Sequence, residues 1–227
     1  MKLIYVSSVN PLIKSGYFNA VADRISQLRL DTDIKLTTIN YSRHPAPELF
    51  DTTVYKPSFM VQRGALKYLE NFYVYRKLLE LFSSIRPNIV HVHWCYPIGY
   101  CAVKACKALS IPCVLTSHGS DIHSNPLKNS YIHAKSSWTL KNSASNIFVS
   151  ESLQAHAQET FGSISSSFVI PNALDIEAIL SSAAPKENRQ IKQILYIGNL
   201  NKTKGADLIP AIFSEISQRY QKSELKF

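Results

Sequence analysis

The chain is 227 residues long, enough to bury one full domain and the start of a second. Hydrophobic residues make up 45% and charged residues 18%, a balance that excludes an intrinsically disordered chain. Lysine and arginine number 25 against 16 acidic residues, a formal charge of +9. That charge favours an anionic partner, whether nucleotide phosphates, nucleic acid or an acidic membrane surface, and composition does not choose among them.

The longest uncharged run, Pro87 to Val103, holds two histidines, two prolines and a glycine. It falls short of the roughly 20 apolar residues a bilayer span needs. Asn10-Pro11 and Lys14 interrupt the apolar patch that follows Lys2, so no signal peptide is expected. Cys95, Cys101, Cys106 and Cys113 contain no C-x-x-C pair. They are expected to be reduced, in a cytoplasmic protein.

In chain order, Leu3 to Val6 reads as a buried strand, and Phe18, Val21, Ile25 and Leu28 follow at helical spacing. A second strand is expected over Ile34 to Ile39, then a proline-rich loop. The longest helix carries an apolar stripe of Val61, Ala65, Tyr68, Phe72, Tyr75, Leu79 and Phe82, with Lys67, Glu70, Lys77 and Glu80 off it. Pro87 ends that segment. Next come a strand at Ile89 to Val92, a helix at Gly99 to Leu109 and a strand at Cys113 to Ser117. Strands at 147–149 and 168–170 flank a helix from Ser152 to Phe161. This alternation predicts an α/β fold, a Rossmann-like parallel sheet with helices on both faces.

Composition shifts over Ser181 to Gln190, which is small, polar and contains Pro185. The expected organisation is a first domain at 1–182, a linker at 183–190, and at 191–227 the first strand and helix of a second Rossmann-like domain. That second strand spans Ile191 to Ile197, and its helix runs from about Lys204 to Tyr220.

In open parallel sheets, ligands bind beyond the carboxyl ends of the strands. Gly16 stands near the start of the first helix, where free N–H groups suit a phosphate, without the G-x-G-x-x-G pattern of a dinucleotide site. In His91-Val92-His93-Trp94-Cys95 the alternate residues could face one way as metal ligands. Against that, the strand is expected to end near His93, and Pro97 demands a turn. In His118-Gly119-Ser120-Asp121, His118 reaches the ligand edge and can donate to a hydroxyl or phosphate or move a proton. Gly119 permits close approach, and Asp121 either orients His118, bonds a sugar hydroxyl or caps the loop. In Gly198-Asn199-Leu200 with Lys204-Gly205, a lysine at a helix start opposes the dipole unless an anion lies there. A solvated lysine is the simpler alternative.

Together with Pro97-Ile98-Gly99-Tyr100 and Pro171-Asn172-Ala173-Leu174-Asp175, these segments resemble family 4 of the retaining glycosyltransferases, whose GT-B fold pairs two Rossmann-like domains. The resemblance implies a nucleotide-diphosphate sugar as co-substrate, no cofactor and no metal, since positive side chains and helix ends stabilise the leaving diphosphate. It implies donor-phosphate binding by Gly16, Lys204 and Asn199, the last standing where relatives often carry arginine. His118 is the implied catalytic residue, with His93, Gly119 and Asp121 contacting sugar or acceptor. The acidic motif that contacts the donor sugar in the family would lie beyond Phe227, so the 227 residues are expected to be an incomplete enzyme. The partner implied is a glycan or lipid-linked acceptor. Separately, the net charge of +9 and Arg63, Lys67 and Lys77 on the long helix suit docking at the inner face of an anionic membrane, with a charge-decorated solvated helix as the commoner alternative. No nucleic-acid motif is present. The alternatives are a non-catalytic acceptor- or partner-binding module and a sugar-nucleotide epimerase.

Overall fold

The computed structural model describes residues 1–13, 15–56, 64–164, 166–173, 176–181, 192–198, 200, 202–220 and 223–226. Its contacts divide the chain into two compact units, Met1–Leu174 and Asp175–Phe227.

The first unit opens with β1 (Lys2–Ser7), α1 (Gly16–Leu30), β2 (Lys35–Ser42), β3 (Thr52–Tyr55), α2 (Leu66–Ile85) and β4 (Ile89–His93). It continues with α3 (Tyr100–Ala108), β5 (Cys113–Ser117), α4 (Ser120–His123), α5 (Ser130–Asn142), β6 (Ser145–Phe148), α6 (Glu151–Phe161) and β7 (Ser167–Val169). Seven strands form one parallel sheet in the order β3-β2-β1-β4-β5-β6-β7. The order reverses at β1, which places a topological switch point between β1 and β4.

Register decides what each face buries. Ile4 pairs with Val90 and Val6 with Val92, and these join Val74, Leu78 and Phe82 of α2 and Leu140 of α5 in the larger core. Tyr5 pairs with His91 and packs on the other face with Val21 and Ile25 of α1. Caps start three of the helices: Ser15 Oγ accepts from Phe18 N at 3.1 Å, Asn129 Oδ1 from Ile132 N at 2.9 Å, and Ser150 Oγ from Leu153 N at 3.2 Å. Each is worth about 1 kcal/mol.

The long helix turns a different face inward from the expected one. It buries Glu70, Asn71, Val74, Leu78 and Phe82, while Tyr68 and Phe72 are 54% and 64% exposed. That is roughly a quarter turn away from the apolar stripe. Partnered polar groups account for it. Fully buried Glu70 meets Lys56 Nζ at 2.7 Å and accepts from Tyr41 Oη at 2.8 Å. Asn71 Nδ2 donates to the hydroxyls of Tyr96 and Tyr131, each at 3.0 Å. A buried carboxylate or amide is tolerated when it is paired in this way. Val61 and Arg63 lie outside the described residues.

The second unit holds α7 (Ile176–Ser181), β8 (Lys192–Leu195), α8 (Ile209–Arg219) and β9 (Ser223–Lys226), with β8 and β9 pairing in parallel. A single strand and helix were expected there, so β9 is a correction. The helix also begins later than the expected Lys204. Lys202–Lys204 and Ala206–Leu208 form separate 3-10 turns, because Gly205 at φ +72° turns the backbone left-handed between them. Pro210 then suits the first turn of α8. The expected linker, 183–190, lies outside the described residues.

Candidate active site

The ends of β1, β4 and β5 converge at the switch point. Gly16 is the first residue of α1, and a Cβ placed on it would meet nothing within 4 Å. Tyr17 follows, with its hydroxyl 3.4 Å from the carbonyl of His93 and 3.5 Å from Ser8 N, which donates to it. The Tyr17 ring lies 5.0 Å from the Trp94 ring and 4.7 Å from the His118 ring. Gly16, Tyr17, Trp94 and His118 thus share one patch of the sheet edge.

Trp94 holds φ +84°, an uncommon conformation for a residue with a side chain. It is fixed from both sides: Trp94 N donates to Thr116 O at 2.9 Å, and Gly99 N donates to Trp94 O at 3.1 Å across the turn Cys95–Gly99. A Cβ on Gly99 would stand 2.5 Å from Trp94 O and 3.2 Å from Leu115 Cδ1. Gly99→Ala is therefore expected to cost about 2–3 kcal/mol in urea unfolding and to shift the Trp94 emission, because the turn must move.

Asp121 is wholly buried. Its Oδ2 accepts from Cys95 N at 3.0 Å, and its Oδ1 accepts from His118 N at 3.0 Å and Gly119 N at 2.9 Å. The carboxylate thereby ties the turn after β4 to the loop after β5. It positions the backbone of His118, not its imidazole. Burial raises its pKa while these N–H bonds pull it down. Gly119 sits at φ +128°, which favours glycine, with open space where a Cβ would point.

His93 Nδ1 and His118 Nε2 are 2.8 Å apart, so one ring donates and the other accepts. His93 is stacked 4.4 Å from His91 and 4.4 Å from Tyr5, and His91 Nε2 lies 2.7 Å from Thr116 Oγ1. Burial, reinforced by the Arg24 cation, lowers His118 to about 4. Burial, then Arg24 and His118, lowers His91 to about 3. Burial followed by the neighbouring imidazoles and Arg24 brings His93 well below the ordinary value. All three rings are neutral at pH 7, fit to exchange hydrogen bonds with hydroxyls rather than to hold a fixed charge.

The metal alternative for His91, His93 and Cys95 does not survive this geometry. Cys95 lies in the core on the opposite sheet face from the histidines, its Sγ donating to Ser136 O at 3.7 Å. Among the described residues no His, Cys, Asp and Glu group converges as a metal ligand set.

Of the residues singled out from sequence, Gly16, His93, His118, Gly119 and Asp121 come together in the first unit. Lys204 lies in the second unit, in the turn after β8, where its carbonyl accepts from Tyr196 Oη at 3.3 Å. Asn199, Leu174 and Asp175 lie outside the described residues. Pro171, Asn172 and Ala173 line a cleft of about 280 Å³ with Ala20, Arg24 and Gln27. Sequence reasoning missed Tyr17, Trp94 and Arg24 as members of the site. Tyr17 adjoins Gly16 and Trp94 ends the His91-Val92-His93 run, so position in the motif was the available signal.

A switch point on a seven-stranded parallel sheet defines a Rossmann-like domain, the unit from which GT-B folds are built. By fold it is similar to the lipopolysaccharide outer core galactosyltransferase WaaB in its apo form, at TM-score 0.66 and 12% identity over 99% of this chain and 67% of that one. It is also similar to the UDP-GlcNAc 2-epimerase of Neisseria meningitidis bound to UDP-GlcNAc, at TM-score 0.55 and 16% identity over 99% and 65%. The model of Glycosyltransferase Family 4 matches residues 29–178, and the chain belongs to that family. It is 31% identical over 144 residues to the glycogen synthase of Mycobacterium tuberculosis, covering 60% of this chain and 34% of that protein. The chain spans 34% to 59% of the length of the curated relatives it matches.

Proposed function

We propose that the chain supplies the acceptor-side domain of a retaining hexosyltransferase that moves a sugar from a nucleotide-diphosphate donor to a glycan or lipid-linked acceptor. The observation that carries this is the meeting of Gly16, Tyr17, Trp94 and His118 at the switch point of a family 4 sheet. In the reaction the bond from the sugar's anomeric carbon to the diphosphate breaks and one to the acceptor oxygen forms. The acceptor hydroxyl gives up its proton and the nucleoside diphosphate leaves.

The start of α1 offers free backbone N–H groups to the diphosphate at Gly16, where no side chain bars approach. Neutral His118 hydrogen-bonds the reacting sugar or the acceptor hydroxyl, and His93 fixes which ring nitrogen of His118 carries the proton. Lys204 and Asn199 are proposed as donor-phosphate ligands of the second unit. The UDP-GlcNAc seen in the Neisseria fold relative supports a sugar nucleotide as the donor class. We place the enzyme at the anionic inner face of a membrane; among the described residues no helix is long and apolar enough to cross one.

The test is to incubate the protein containing this chain with a panel of uridine, guanosine and adenosine diphosphate sugars, with and without acceptor glycans. Acceptor-dependent release of the nucleoside diphosphate is expected, with the anomeric configuration of the product unchanged by NMR coupling constants. His118→Ala should lower kcat/KM about 100-fold while the circular dichroism spectrum stays the same. An epimerised donor formed without acceptor would make the protein an epimerase, and no donor turnover would leave a binding module.

A further inference from the structure

The helices on the sheet face away from α1 carry a surface that the transfer chemistry does not use. α3 packs between α2 and α5. The three helices carry Lys67, Arg76, Lys77, Lys104, Lys107, Lys135 and Lys141 against two acids, Glu70 and Glu80. Glu70 is buried and taken by Lys56, and Glu80 is paired with Lys77 at 3.3 Å. The outward charge of this face is therefore strongly positive.

Its lysines lie against aromatic rings. Lys67 Nζ stands 4.3 Å from the Tyr131 ring centre and 5.2 Å from that of Tyr68. Lys135 Nζ is 4.8 Å from Tyr100, and Lys104 Nζ is 4.8 Å from Tyr75. Among the described residues, none of these three lysines enters an ion pair. Between them opens a cleft of about 200 Å³ lined by Tyr68, Asn71, Phe72, Tyr100, Lys104 and Lys135. At its rim, the first two turns of α2 expose Leu66, Leu69 and Phe72, the last two by 57% and 64%.

We propose that this α2–α3–α5 face seats the protein on an anionic lipid bilayer, with lipid phosphates at Lys67, Lys104 and Lys135 and with Leu66, Leu69 and Phe72 entering the headgroup–acyl boundary. It deepens the membrane part of the function proposed above and rests on it. The two halves of the surface select the occupant together. Unpaired lysines complement phosphate of any source. Exposed leucine and phenylalanine beside them gain nothing from a soluble polyanion, whereas at a bilayer they leave water. Tyrosines with an apolar body and a polar tip suit the same interfacial depth, and lysine stems reach past apolar neighbours to the headgroups.

The experiment is co-sedimentation of the purified protein with vesicles of phosphatidylglycerol and phosphatidylcholine, and with phosphatidylcholine alone. Binding is expected to the anionic vesicles and not to the zwitterionic ones. Lys67→Ala with Lys104→Ala and Lys135→Ala should weaken it by about 5-fold per lysine, roughly 100-fold in all. Leu69→Ser with Phe72→Ser should weaken vesicle binding at least about 10-fold and leave heparin binding unchanged. Lys2→Ala with Lys35→Ala, at the amino ends of β1 and β2, should change neither. All are surface changes, and thermal unfolding of each variant verifies the fold. The inference is overturned if the lysine variant binds vesicles like the wild type. It is equally overturned if the apolar pair has no effect, which would identify a soluble polyanion as the ligand. Donor turnover measured without vesicles separates the two proposals. Turnover without vesicle binding sinks this surface and leaves the transferase standing, and vesicle binding without turnover does the reverse.

Discussion

Asp121→Ala is expected to destabilise the Met1–Leu174 unit by about 3–5 kcal/mol, a large share of a domain's total stability. The substitution strands three backbone donors at once, Cys95 N, His118 N and Gly119 N, all now held by one carboxylate at 2.9–3.0 Å. A stranded buried donor costs about 1–3 kcal/mol, and bonds to a charged acceptor are the stronger kind. Asp121→Asn should lie between wild type and alanine. Its amide oxygen replaces one acceptor, but its NH2 group confronts a backbone N–H. Guanidinium unfolding measures the loss. Hydrogen exchange at Cys95, His118 and Gly119 separates this account from general damage, since those amides should exchange fastest relative to wild type. An unchanged midpoint in Asp121→Ala would mean the two loops are held by something else.

Acid should unfold this unit from an unusually high starting pH. An imidazole in the unfolded chain titrates near 6.5, whereas burial holds His118 at about 4, His91 at about 3 and His93 well below 6.5. Below pH 6.5 the unfolded chain therefore binds protons that the fold refuses. Stability is complete above that pH and falls as pH drops toward the folded values. The slope is about 1.4 kcal/mol per pH unit for each imidazole and approaches about 4 for the three. Asp121 acts in the opposite sense, because its raised pKa lets the fold take up a proton first. One carboxyl opposes three imidazoles, so urea midpoints should still fall as pH drops from 7.5 to 5. His91→Gln, which keeps a polar group near Thr116 Oγ1, should remove about a third of the slope. A flat profile over that range would show that the fold accepts these protons.

The parts of the fold legible in the sequence were those where one periodicity meets a clear stop. β5 coincides with its expected range because Pro112 opens it and His118-Gly119 closes it. α1 and α6 follow from apolar spacing, supported by the Ser15 and Ser150 caps. α5 escaped because its buried face includes Ser136 and Thr139, which look solvent-bound in a sequence. Thr139 Oγ1 is satisfied inside its own helix, donating to Lys135 O at 2.7 Å. The turn of α2 was misjudged for a related reason, since Glu70 is an interior residue once Lys56 and Tyr41 reach it from distant segments. In the site, the loops that bring His118 and Gly16 to the sheet edge could be read from strand–loop–helix order alone. The Tyr17–Trp94–His118 contacts and the shared hydrogen bond of His93 and His118 could not, because they join residues 25 to 101 positions apart in the chain.

All four cysteines are buried, around α3 and its flanking strand and turn. Burial pushes the thiols of Cys95 and Cys101 upward, away from the reactive thiolate. The segment Asp175–Phe227 contains no cysteine. A maleimide added to the folded 227-residue chain would thus mark a molecule when the first unit opens. The rate at which the +4 label species accumulates becomes a clock for that unit alone, silent to any fraying of the second.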